Sequence, residues 1–199
     1  GLALLFGWQR WEGFQLEQSG EAAVVWEQLS AAIEGERFNE VTETLELLEK
    51  DYAGTPYVDQ GRLAVARMHM SRNSSEDALE ALEAVARGGG DPGLRRVAEL
   101  RMAQIYIYLE QYEEAFAVLG AEDSSAFAAQ FHELRGDVFY GQGKIEDARD
   151  EYQAALAADT AGVIDRAYVQ MKLDDVTGSV AALPAEPEPD ADAEVAPAE

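Results

Sequence analysis

Two periodicities laid over one another limit this chain more than any other feature. At short range, apolar residues recur at helical spacing almost throughout, and no segment sustains the alternation of two that a strand requires. At long range, Val41, Ala78, Ala115 and Ala148 mark equivalent points separated by 37, 37 and 33 residues. Helical units that repeat at this interval cannot bury an apolar face alone, so neighbours must stack into a continuous core. The clearest unit runs from His132 to Thr160, with Gly136, Phe139, Gly143, Ala148, Tyr152 and Ala155 at fixed offsets. The unit before it reads Ala103, Tyr106, Tyr112, Ala115 and Leu119, and the next one back reads Ala66, His69, Ala78, Leu82 and Val85. The first and most degenerate reads Leu29, Ala32, Phe38, Val41, Leu45 and Leu48.

These offsets are those of a tetratricopeptide repeat, whose period is about 34 residues. In that motif small residues let two antiparallel helices approach, and aromatic residues fill the gap between them. The expected fold is therefore all-α: a tetratricopeptide-like right-handed solenoid of about four helix pairs plus a C-terminal capping helix, roughly Gly162 to Asp174. The intervals of 37 need inserted residues, and Gly88-Gly89-Gly90 supplies them for the second. The punctuation agrees. Thr55-Pro56 and Asp91-Pro92 place a capping side chain before a proline at the first helical position. Ser74 followed by Asp77 approximates a capping box, and Gly54, Gly88 and Gly120 stand where helices should stop.

Charge narrows the partners. Against 39 acidic residues stand 15 basic ones, a formal net charge of -24. Such a surface repels phosphate backbones and anionic headgroups, which excludes nucleic acid and electrostatic binding to acidic lipids. The absence of cysteine removes disulfides, thiolate nucleophiles and cysteine metal sites, without fixing the compartment.

Both ends depart from the repeat pattern. Because the chain opens on Gly1, an upstream segment is expected. Leu2-Ala3-Leu4-Leu5-Phe6 is an apolar run that should break at Gly7, before Trp8 and Trp11. Apolar residues giving way to paired tryptophans are how a membrane helix leaves the bilayer, so residues 1–13 are read as the end of a transmembrane anchor. A hydrophobic strap packed on the domain, or the remnant of a cleaved signal peptide, are the alternatives. Residues 14–176 form the repeat domain, and 177–199, dominated by proline, alanine and acid, are expected to be a disordered acidic tail.

A more specific likeness rests on particular residues. A hydrophobic exit with Gly7-Trp8-Gln9-Arg10-Trp11 leads into a long helix through Trp26, Thr55-Pro56-Tyr57 occupies the first turn between repeats, and Asp165-Arg166-Ala167-Tyr168-Val169-Gln170-Met171-Lys172-Leu173-Asp174 lies near the end. Over residues 1–176 this resembles the tetratricopeptide-like ancillary subunit of the bacterial Sec translocon. The resemblance implies a single-pass inner-membrane protein with its repeat domain in the periplasm. It also implies association with the Sec translocon and with a membrane-anchored periplasmic prolyl isomerase-type chaperone.

No catalytic, cofactor or metal constellation emerges. His69 and His132 lie on different repeats, and neither has a helical histidine partner at metal-binding spacing. His69 sits at a helix-packing position. Glu133 adjoins His132 in sequence, but adjacent helical residues diverge. The glycine run before Asp91-Pro92-Gly93 follows a helix and lacks the Gly-Lys-Ser/Thr of a phosphate cradle, so it reads as an inter-repeat loop. Asn73-Ser74-Ser75 matches a glycosylation acceptor but is better explained by capping.

The candidate site is the face lined by the first helix of each pair, an extended surface suited to peptides. Carrying the register over places Leu63, Arg67 and Met70 there from the second repeat, Leu100, Gln104, Ile107 and Tyr108 from the third, and Glu133, Asp137 and Tyr140 from the fourth. Tyrosine and methionine suit low-specificity binding of unfolded or extended polypeptide. The plainer alternative is that some of these residues pack between repeats. Arg67, Gln104 and Asp137 stand where a basic clamp for acidic C-termini would need lysines and asparagines, which disfavours that activity. Two functions remain: a membrane-tethered interaction module at the translocon linking secreted chains to chaperones, or a soluble repeat scaffold or assembly factor for an envelope complex. No residue set satisfies nucleophile and base together, so an enzyme is not expected.

Overall fold

The computed structural model describes the backbone of residues 2–88, 90–120 and 126–182, and the side chains of residues 17–178 within those ranges. The expected tail from residue 183 onward, and the side chains of Trp8 and Trp11, lie outside the described residues. Among the described residues the chain is helical without strands. Its elements are α1 (Leu2–Glu34), α2 (Phe38–Asp51), α3 (Pro56–Ser71), α4 (Ser75–Gly88), α5 (Pro92–Tyr108), α6 (Tyr112–Leu119), α7 (Ala128–Gly141), α8 (Ile145–Ala158) and α9 (Arg166–Ala182). The pairs α1–α2, α3–α4, α5–α6 and α7–α8 follow one another, and α9 packs on the last.

The turn within each pair confirms the register. Glu36, Asn73, Glu110 and Gly143 all adopt left-handed backbone, with φ of 52°, 59°, 58° and 74°. Each lies five residues before the corresponding marker Val41, Ala78, Ala115 or Ala148. A tight reversal between antiparallel helices needs one residue at positive φ, and only the last repeat uses the residue best suited to it. The four markers are buried, as are Leu48, Leu82, Leu119 and Ala155 on the same faces of the second helices. The core is a series of linked apolar clusters, one passing into the next along the stack.

Three details differ from the sequence expectation. Helix α1 runs through Gly7 without a break, since its backbone hydrogen bonds outweigh the modest penalty of one glycine. Among the described residues no helix is long and apolar enough to cross a membrane. Thr55 holds the position before Pro56 in extended backbone, but its hydroxyl turns back to donate to the Tyr52 carbonyl at 2.8 Å and does not cap α3. Asp91 does cap, its carboxylate accepting from the Gly93 and Leu94 amides at 2.6 and 3.2 Å.

The third difference is the capping helix. It starts at Arg166, where the Asp165 carboxylate accepts from the Tyr168 amide at 3.1 Å. It then continues past Thr177 to Ala182. Val169 and Val176 are buried in the cluster shared with α8, and the helical backbone continues past residue 177, at which the tail was expected to begin.

Candidate interaction face

The ten residues assigned to the first-helix face divide into three groups. Leu63 and Leu100 are only 7% exposed and belong to the clusters between neighbouring pairs, so they are core residues, Leu100 reaching only the edge of a small cleft. The reason is geometric. Both sit on the flank of their helix that meets the next pair, where the apolar seam is continuous. Met70, Ile107, Glu133 and Asp137 are half-buried, whereas Arg67, Gln104, Tyr108 and Tyr140 are exposed. Tyr108 is 71% exposed, an unusual position for a large aromatic residue.

Where α5, α7 and α9 converge, Ile107, Asp137 and Tyr140 join Tyr112, Tyr168 and Lys172 around a cleft of about 400 Å³. Tyr108 lies outside this cleft, and Leu100, Gln104 and Glu133 line a smaller one of about 200 Å³ against Ile164 and Asp165. The tyrosine cleft exists because glycine stands at Gly141: a Cβ there would overlap the Tyr112 ring. Gly136 performs the same service deeper in the pair, where a Cβ would overlap the ring of buried Tyr152.

The electrostatics of the cleft are set by Lys172, which the register analysis passed over because it lies on the cap. Its Nζ donates to Glu133 Oε1 at 3.0 Å and to both Asp137 carboxylate oxygens at 2.8 Å. It also sits 4.6 Å from the centroid of the Tyr168 ring and 5.7 Å from that of Tyr152. The side chain is only 15% exposed. Burial alone would lower its pKa, but the carboxylates of Asp137 and Glu133 outweigh burial and hold it above the ordinary lysine value. The Tyr152 hydroxyl donates to Asp137 at 2.8 Å. Burial, and then the Asp137 charge, push its pKa well above the usual tyrosine range. Glu133 and Asp137 were expected as open acidic lining; they are instead half-buried and joined by one lysine set between them.

A second polar cluster stands behind the cleft, between α7 and α8. Arg135 is 1% exposed, yet its guanidinium is satisfied. Nε donates to Glu151 at 3.1 Å, Nη1 donates to the Gly120 carbonyl at 3.3 Å, and Nη2 comes within 2.8 Å of His132 Nδ1. His132 therefore belongs to a structural network. His69 lies 3.6 Å from Asp77 across its helix pair. Sequence reasoning could have found two missed residues of the cleft, since Tyr168 and Lys172 both fall in the Asp165–Asp174 segment that carried the family likeness.

Residues 1–178 match the family described as tetratricopeptide repeat-like domain. This chain belongs to that family. Among curated relatives of this tetratricopeptide-like chain is the ancillary SecYEG translocon subunit of Escherichia coli (strain K12), 24% identical over 180 residues, which covers 89% of the chain and 84% of the relative. The ancillary SecYEG translocon subunit of Neisseria gonorrhoeae (strain ATCC 700825 / FA 1090) is 26% identical over 136 residues, covering 68% of the chain and 65% of that protein. The tetratricopeptide-like fold presents helix faces and turns, a surface for holding other chains.

Proposed function

We propose that this protein is a non-catalytic interaction module of the Sec translocon that holds extended polypeptide along its first-helix face. The carrying observation is the exposure of Tyr108, Tyr140 and Tyr168 on α5, α7 and α9, the last two at the cleft and the first outside it. Aromatic side chains offered to solvent on a rigid helical frame supply large contact area at small entropic cost, which suits varied clients. Similarity to the two ancillary SecYEG subunits over most of the chain supports a place beside the translocon, and the clients on this reading are secreted proteins. On this reading an N-terminal anchor tethers the protein to the bacterial inner membrane, with the repeats in the periplasm. There they pass emerging chains to a membrane-anchored prolyl isomerase-type chaperone.

The test is photo-crosslinking from the first-helix face to nascent secreted chains. The double variant Tyr108→Ala, Tyr140→Ala is expected to lose most crosslinks while its melting temperature stays within a few degrees, because neither ring is part of the core. Unchanged crosslinking would move recruitment to another surface. A large stability loss would make these rings packing residues and end the proposal.

A further inference from the structure

In so acidic a chain a basic side chain ordinarily finds a carboxylate. Arg37 holds Glu40, Arg62 holds Glu49, Arg87 holds Glu83 and Arg166 holds Asp159. Among the described residues Lys50, Arg72 and Lys144 have no carboxylate partner, and neither do Arg67 and Arg101. Arg67 and Arg101 are also together. Arg101, exposed as a residue, lays its guanidinium against α3, where Nη1 donates to the Leu63 carbonyl at 3.3 Å. Leu63 precedes Arg67 by one helical turn, so both cations occupy one patch on the first-helix face. Burial, and then the neighbouring charge of Arg67, draw the Arg101 pKa down. Two like charges held together without a counterion repel, and an anion placed between them relieves that repulsion.

We propose that Arg67 and Arg101 form the docking point, within the same molecule, for the acidic segment 183–199. That segment carries Glu186, Glu188, Asp190, Asp192, Glu194 and Glu199, with no lysine or arginine. Most of the remaining surface repels it, whereas this patch offers two unneutralised guanidinium groups suited to carboxylates. Reach is ample. Lys172 holds α9 beside α7, so α5 and α3 lie two to three helix spacings of about 8–10 Å away. Ala182 is roughly 15 Å further along the α9 axis than Lys172, and residues 183–199 can extend about 55 Å. Tethering gives an effective concentration on the order of millimolar, enough for a weak, salt-sensitive contact to be populated.

The chain has no cysteine, so Val195→Cys gives a single attachment point for a spin label on the full-length protein. Paramagnetic broadening of amide signals is expected around Arg67 and Arg101. It should disappear in the Arg67→Gln, Arg101→Gln chain and fade as NaCl rises toward 1 M, where the screening length is about 3 Å. A reciprocal chain with its six tail acids changed to their amides should lose it too, and that variant leaves α1–α9 untouched. Broadening centred on α8 and α9, or surviving both sets of changes, overturns the proposal. Broadening seen only between labelled and unlabelled copies in a mixed sample assigns the contact to a second molecule and overturns docking in cis. Clients take no part in this readout, so its failure is separate from failure of the client-binding reading.

Discussion

The fourth helix pair and the first meet the same packing demand with different materials. In α7–α8, Gly136 lets the Tyr152 ring lie against the α7 backbone, and Tyr152 then hydrogen-bonds Asp137, which Lys172 neutralises. Arg135, Glu151 and His132 add a buried polar network on the opposite flank. In α1–α2 and the start of α3 the fully buried contacts are aliphatic, with Trp26, Tyr52 and Tyr57 packed around them. Leu29, Leu45 and Leu48 surround Gly61, and Leu29, Val41 and Leu48 are buried. Beyond them the second helices α2 and α4 leave an open cleft of about 530 Å³ lined by Val41, Leu45, Glu49, Arg62 and Ala81. The apolar pair tolerates rearrangement because leucine side chains can move. The polar pair is specified by directional bonds, each of which loses its partner if one member goes. The degeneracy of the first repeat in sequence and its softer packing thus have one cause: fewer residues there are fixed by a single geometric requirement.

The largest expected effect breaks the polar pair. Arg135→Ala removes a buried cation and leaves the Glu151 carboxylate without its guanidinium, a loss of roughly 3 kcal/mol or more. Chemical denaturation read by circular dichroism measures it, and a loss below 1 kcal/mol would show that the network contributes little. Next comes a matched pair of glycines. Gly136→Ala pushes a methyl into a tyrosine ring held by its own hydrogen bond, at about 1–3 kcal/mol. Gly61→Ala meets only leucine methyls at 3.1 to 3.4 Å. These can give by tenths of an ångström, and alanine restores up to about 1 kcal/mol of helix propensity. Equal losses at the two sites would erase the proposed contrast.

The smallest effect concerns pH. Tyr152 and Lys172 both titrate higher in the folded protein than their ordinary values of 10.0 and 10.5. Below about pH 10 both groups stay protonated in either state, so their stabilisation is complete. Above it the unfolded chain releases its protons first, and stability falls as pH rises toward the folded values. The near-ultraviolet signal of the α7–α9 end should therefore weaken above pH 10, with a smaller slope in Tyr152→Phe. A flat profile up to pH 11 would remove the charge-linked account of how the cap is held.

Much of the fold was legible. The four left-handed turn residues fall five positions before the sequence markers because a helical hairpin of fixed turn geometry ties them together locally. Asp91 capped as expected for the same local reason, while the Thr55 hydroxyl found the Tyr52 carbonyl one turn back and was lost as a cap. The candidate face was less legible. Register correctly separated exposed Tyr108 and Tyr140 from the core, but it placed Leu63 and Leu100 in an open lining although they seal the seam to the next pair.

What the sequence determined by itself was the helices, their turns and their repeat, because hydrogen bonding and side-chain periodicity act over a few residues and leave their mark at fixed offsets. What only the tertiary structure decided was which charges meet. Lys172 reaches Glu133 and Asp137 across 39 and 35 residues of chain. Arg101 settles on the carbonyl of Leu63, 38 residues away, beside an arginine and not an acid. Seven residues without helical period, 159–165, separate α8 from α9, so no repeat offset carries the register of the cap onto α7. Contacts of that kind depend on how far each helix slides and turns against its neighbours, and this is settled by the packing of the whole stack.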